Sequence, residues 1–190
     1  RITQPMTPGT VRNLTDLKGL LPGFGNRREQ VRQRAGLPSE TAVLNALRWL
    51  KTQQRSDGSW DDPRPAMTGL SLLCFLGHGE IPGESPEFGE AVQRGLQWLT
   101  ENQTPEGRFR NRDKNDYSLP IAAYALCEAF AMTGTPKVGE TATRSIQLIV
   151  NGQNPVGGWN YRCVPSARND LSYSGWCVQA LKAAHIAQLD

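Results

Sequence analysis

Three segments, Gln54-Arg55-Ser56-Asp57-Gly58-Ser59-Trp60, Gln103-Thr104-Pro105-Glu106-Gly107-Arg108-Phe109 and Gln153-Asn154-Pro155-Val156-Gly157-Gly158-Trp159, share the pattern Gln-x-x-x-Gly-x-aromatic. They recur about every 50 residues, the period of a repeat architecture in which each unit is one supersecondary motif. The residues ahead of each Gln agree as well. Val43, Leu47 and Leu50 correspond to Val92, Leu96 and Leu99, and to Ala142, Ile146 and Ile149. That i, i+4, i+7 spacing is one stripe of a helix. Ala46, Gly95 and Ser145 share a small-residue slot within it, and Trp49, Trp98 and Leu148 share a large one.

Each turn is followed by a segment richer in small and apolar residues: Thr68 to Leu76, Leu119 to Met132 and Ser174 to Ala187. A helix apolar nearly all round is buried on most faces, so these are expected to be inner helices and the more polar ones outer. Gly77, Gly79 and Gly134 read as helix stops, and Ser85-Pro86 and Thr135-Pro136 as starts of the next outer helices. The expected fold is therefore all-α, three helix hairpins over residues 39–84, 85–134 and 135–190. Residues 1–38 hold many prolines and glycines and read as an extended basic arm with a short helix from Asn26 to Ala35.

The arm carries Arg1, Arg12, Lys18, Arg27, Arg28, Arg32 and Arg34 against Asp16 and Glu29, more than the whole net charge of +3. Glu29 and Gln30 interrupt the basic run and no aromatic residue is interleaved, so it reads as a solvated helix face and not as a nucleic-acid site. No apolar run reaches the roughly 18 residues of a transmembrane segment. The cysteines, Cys74, Cys127, Cys163 and Cys177, lack zinc-site spacing; Cys74 and Cys127 sit in apolar runs and read as buried thiols. The absence of an initiator Met and of a signal peptide suggests a processed or excised segment and leaves the compartment open.

An outer helix followed by Gln-x-x-x-Gly-x-aromatic resembles the QW repeat of squalene and oxidosqualene cyclases, which is related to the repeats of protein prenyltransferase β subunits. The likeness covers residues 39–187, and the whole chain is similar to the prenyltransferase/squalene-oxidase repeat proteins of bacteria. It implies an α/α toroid with a ligand in the middle. Such a ring closes with about six repeats, so three imply half of one, completed by further chain, another copy or a partner. The residues of the motif read as scaffold: Gly for the turn, the aromatic ring for packing, the Gln amide for orphan backbone groups.

Asn115-Asp116-Tyr117-Ser118 and Asn169-Asp170-Leu171-Ser172 share Asn-Asp-x-Ser ahead of two inner helices, and Asp62 stands at the corresponding place in the first repeat. Asp62, Asp116 and Asp170 are thus expected at one end of the inner layer. They read either as helix caps or as a ring of acids around a cavity mouth. Tyr117, Tyr124, Tyr161, Tyr173 and Trp176 are the aromatic residues that could line a cavity or simply fill a core. Arg162 and Arg168 flank Asp170, as for a salt bridge that orders the loop or for an anion site.

The Asp-x-Asp-Asp acid motif of class II cyclases is missing, because Asp57, Asp61 and Asp62 have the wrong spacing. Asp170, Cys177 and a histidine are the residue types of a prenyltransferase zinc site, but His78 and His185 read as surface residues, so no metal and no cofactor are expected. These features point first to a binding domain for an apolar or isoprenoid-like molecule or a partner protein. The alternatives are a terpene cyclase or prenyltransferase relative with catalytic residues outside this segment, and a polysaccharide lyase on the same architecture.

Overall fold

The computed structural model describes residues 36–109 and 117–189. The basic arm, its expected helix and Asp116 lie outside these residues. Six helices follow in order: α1 Pro38–Thr52, α2 Arg64–His78, α3 Gly89–Glu101, α4 Ser118–Thr133, α5 Pro136–Asn151 and α6 Leu171–Ile186. The fold is all-α; the extended pairing among the described residues is a single bridge between Gln103 and Phe109 inside one turn.

The helices form two layers. α2, α4 and α6 pack side by side with α4 in the centre, and α3 and α5 cover them. Ten of the sixteen residues of α4 are buried, including Leu126 and Cys127, so it forms the middle of the core as its all-round apolar sequence requires. α3 and α5 bury one side each: the predicted stripe, Val92, Leu96 and Leu99 and then Ala142, Ile146 and Ile149, is buried together with neighbours such as Ala91, Gly95 and Trp98 on α3 and Val138, Thr141 and Ser145 on α5. Gly69 brings α2 close to α4: a Cβ there would lie 3.0 Å from Ile121 Cγ2 and 3.2 Å from the Ala122 Cα.

The turns join one hairpin to the next. Gln54 Nε2 donates to the Gly58 carbonyl at 2.9 Å and to the Ala91 carbonyl of α3 at 2.8 Å. Gln103 Nε2 does the same one repeat later, donating to the Thr141 carbonyl and the Ser145 hydroxyl of α5 at 2.8 Å each. The acceptor is a carbonyl within the next helix, not an orphan at a helix end. Gly58 and Gly107 have φ of +93° and +90°, and a Cβ on them would fall 2.7 Å from the Arg94 carbonyl oxygen and 2.6 Å from that of Arg144. Only glycine fits both the left-handed backbone and the close approach. The indoles of Trp60 and Trp159 tie each turn to its own outer helix, donating to the Leu50 and Ile149 carbonyls at 2.8 and 2.7 Å.

Several local expectations are corrected. Gly79 and Gly134 are left-handed C-caps, but Gly77 lies inside α2. Ser85-Pro86 does not start α3, which begins at Gly89; the Ser85 hydroxyl instead accepts from the Ile81 N–H at 2.8 Å within the connecting turn. Cys74 is exposed and not buried, because it lies on the face of α2 that no preceding hairpin covers among the described residues. α6 is buried along one side only, through Tyr173, Cys177, Ala180, Ala183 and Ala184, whereas Leu171 is 91% exposed.

Candidate functional site

Among the described residues, the amino end of α6 gathers the cluster that unites predicted site residues. Asp170 is its N-cap, with Oδ1 accepting from the Tyr173 N–H at 2.8 Å and from the Ser172 hydroxyl at 2.7 Å. This is the geometry an Asp N-cap supplies to an orphan amide of the first turn. The Tyr117 hydroxyl, at the start of α4, lies 2.8 Å from the Ser172 hydroxyl and 3.0 Å from the Tyr161 hydroxyl. The rings of Tyr117, Tyr161 and Tyr173 pack mutually, with centroids 5.3 to 6.0 Å apart. Two of the three contacts are edge-to-face, which turns the positive rim of one ring toward the negative face of the next.

The electrostatics separate the roles of the polar groups. The Tyr173 N–H and the Ser172 hydroxyl hold the Asp170 carboxyl below its ordinary range, so it is ionised at neutral pH. Tyr161 moves the other way: its hydrogen bond to Tyr117, followed by that to Asp170, pushes its phenol up to about 12. The cluster therefore sets an ionised carboxylate, Asp170, beside a phenol, Tyr161, that keeps its proton.

The other predicted residues lie elsewhere. Asp62 does not cap α2, because Pro63 occupies the N-cap; the Asp62 carboxylate is exposed and lies 3.6 Å from Arg64 Nε. Tyr124 and Trp176 are half-buried on α4 and α6. Cys177 is buried beside Cys163, and among the described residues no group of three His, Cys, Asp or Glu is arranged to hold a metal ion. The loop before Asp170 is ordered by two asparagines rather than by an arginine salt bridge. Asn154 Nδ2 donates to the Arg168 carbonyl and its Oδ1 accepts from the Ser166 N–H, while Asn160 Nδ2 donates to the Val164 carbonyl.

His78 is the clearest departure from expectation. It is not a surface histidine: its Nδ1 lies 2.7 Å from Glu80 and its Nε2 3.0 Å from Glu40, with all three side chains at least 88% buried. Burial lowers its pKa, but its hydrogen bonds to Glu40 and Glu80 and the charges of both outweigh burial and hold it above the ordinary value. The two carboxylates meet opposite ring nitrogens, so the trio is a clamp from α1 to the end of α2. Nothing local announces it, since Glu40 and His78 stand 38 residues apart.

Two grooves lie on the described surface away from this cluster. One of 590 Å³ lies between α3 and α5, lined by Gln93, Gln97, Thr133 and Lys137 among others. One of 540 Å³ follows the edge of the first hairpin that no other described residue covers, along Trp49, Met67, Leu70 and Cys74. Neither is lined by Asp170 or the tyrosine trio.

Comparison with known proteins gives one likeness to report. A stretch of 100 residues is 32% identical to the squalene–hopene cyclase of Zymomonas mobilis subsp. mobilis, covering 44% of this chain and 14% of the length of that protein. No family model matches the chain, and no solved structure does. This distant likeness and the all-α hairpins agree in supporting a terpenoid-cyclase-like domain.

Proposed function

We propose that residues 39–190 form a terpenoid-cyclase-like repeat domain, part of an α/α toroid, whose tyrosine face at the amino ends of α4 and α6 receives an apolar or isoprenoid-like molecule. On this reading the three Gln-to-aromatic turns are QW repeats. The observation that carries it is the trio of Tyr117, Tyr161 and Tyr173 packed around a capped carboxylate at the rim of the inner layer. Tyr117 and Tyr161 are half-buried and offer an apolar, quadrupolar surface with hydroxyls at its edge, backed by the buried ring of Tyr173.

Binding is favoured over acid-initiated chemistry at this place. An alkene or epoxide is protonated by a carboxylic acid that keeps its proton, and Asp170 is held ionised by the groups that cap α6. The test is a thermal-shift titration with farnesyl- and squalene-like ligands, alongside uronic acid oligomers. An increase in Tm with the isoprenoids, reduced in Tyr161→Ala, supports the reading. An increase with the uronic acid oligomers alone would replace it with a polysaccharide-binding or lyase function, and no response to either would reject it.

A further inference from the structure

The two junctions between the described hairpins are the same junction used twice, and the third hairpin presents the donor half of it with none of the described residues docked there. Gln54 and Gln103 are half-buried because each reaches the next outer helix; Gln153, in the same position, is exposed and donates only to the Gly157 carbonyl of its own turn at 2.9 Å. Gly58 and Gly107 lie under the Arg94 and Arg144 carbonyls, whereas Gly157 keeps the same left-handed φ of +94° with no atom within 4 Å of its Cβ position. The geometry of a docked turn is retained without its partner.

The inner layer repeats the contrast. Thr68 Oγ1 and Ser174 Oγ accept from the N–H of Trp60 and Trp159 respectively, so the residues after them, Gly69 and Gly175, occupy corresponding places on α2 and α6. Gly69 is pressed against Ile121 and Ala122 of the next inner helix, but Gly175 is exposed and has nothing within 4 Å. Around it Leu171 and Val178 are exposed apolar residues of the same face, and Lys182 separates them from Ile186 further along the helix.

The acceptor half stands unused at the opposite end of the chain's described residues. Trp49 of α1 is 61% exposed, while Trp98, its counterpart on α3, is 9% exposed because the first hairpin packs on that face. Ala42, Asn45 and Ala46 hold the places of Ala91, Arg94 and Gly95, and all three are exposed. Behind them runs the apolar groove along Trp49, Met67, Leu70 and Cys74.

We propose that the third hairpin docks the first hairpin of a second copy of this chain, head to tail, in the register of the two internal junctions. Gln153 then donates to the Ala42 carbonyl, the Asn45 carbonyl closes over Gly157, and the Gly175 face of α6 enters the groove along α2. The contact is heterologous, so it propagates to a closed ring or an open fibre according to the rotation per copy.

The experiment is sedimentation velocity on the full chain, with Gly175→Arg blocking one half and Ala46→Arg the other. Both positions are helical and exposed, so circular dichroism should match the parent. The parent is expected to associate with rising concentration, and each variant to dissociate about a hundredfold more readily, as a charge placed in an apolar contact requires. An equimolar mixture of the two variants still holds one intact donor and one intact acceptor half, and should form a 1:1 dimer that grows no further. A parent that stays monomeric into the millimolar range, variants that associate like the parent, or a mixture that remains monomeric would each overturn the proposal.

Discussion

Gln103 crosses the seam between the second and third hairpins, its Nε2 donating to the Thr141 carbonyl at 2.8 Å, and Arg144 of the same helix returns a bond to Gln103 Oε1 at 2.8 Å. The amide is thus used at both ends. Gln103→Ala leaves the buried Ser145 hydroxyl and the Thr141 carbonyl with fewer partners and should destabilise by about 1–3 kcal/mol. Gln153→Ala removes only a bond within an exposed turn and should stay within about 0.5 kcal/mol of the parent. Urea unfolding at micromolar concentration compares the two, and equal losses would contradict the inter-hairpin role.

The turn glycines should divide in the same way. Alanine at Gly58 or Gly107 meets both a left-handed backbone and a carbonyl oxygen within 2.7 Å, so it should cost more than the roughly 1–2 kcal/mol of the backbone strain alone. Alanine at Gly157 meets only the strain. Thermal unfolding should place Gly157→Ala well above the other two variants in Tm.

His78 makes stability depend on pH near neutrality. Its folded-state pKa lies above the 6.5 of the free side chain, so its contribution is complete below that pH and is lost as pH rises through the folded value. Urea midpoints should therefore decline on going from mildly acid to mildly alkaline solution. His78→Ala should remove that decline and cost about 1–3 kcal/mol in acid, by stranding two mostly buried carboxylates. An unchanged pH profile in the variant would show that the clamp contributes nothing.

Asp170 carries the opposite sign. Its depressed pKa gives stability that is present above the ordinary carboxylate range and lost as pH falls through the folded value. Asp170→Ala should cost about 1 kcal/mol as a lost N-cap. A drop in Tm with isoprenoid binding retained would identify it as a cap alone.

Ultraviolet titration should resolve one late tyrosine. Tyr161, pushed up to about 12 chiefly by its bond to Tyr117, should ionise well above the ordinary tyrosine value. Tyr117→Phe removes the largest cause and should bring that last step to lower pH. A single step in both proteins would mean that the hydroxyl network does not persist in solution.

The periodicity of Val92, Leu96 and Leu99, with its copies before and after, was enough to place the outer helices, and the buried side of α3 and α5; on α1 only Leu47 of the stripe is buried and Val43 is exposed. Burial follows directly from spacing along a helix when a neighbour covers the face. The same information misjudged Cys74 and α6, because a residue in an apolar run is buried only where the next element stacks on it. Asp170 as a cap was legible from Asn-Asp-x-Ser ahead of an apolar run, since capping is a contact over three residues. Asp62, aligned with it by spacing, is no cap because Pro63 takes that place.

What the sequence by itself determined is the all-α hairpin, its repeat and the left-handed turn glycines, all set by local conformational preference and short-range spacing. Only the tertiary structure decided that Tyr117, Tyr161 and Tyr173 meet, that His78 is clamped between Glu40 and Glu80, and that one glycine of each corresponding set faces empty space. Those relationships join residues from different repeats or from opposite ends of a hairpin. Their geometry depends on how the helices stack, which the pattern along a single helix does not contain.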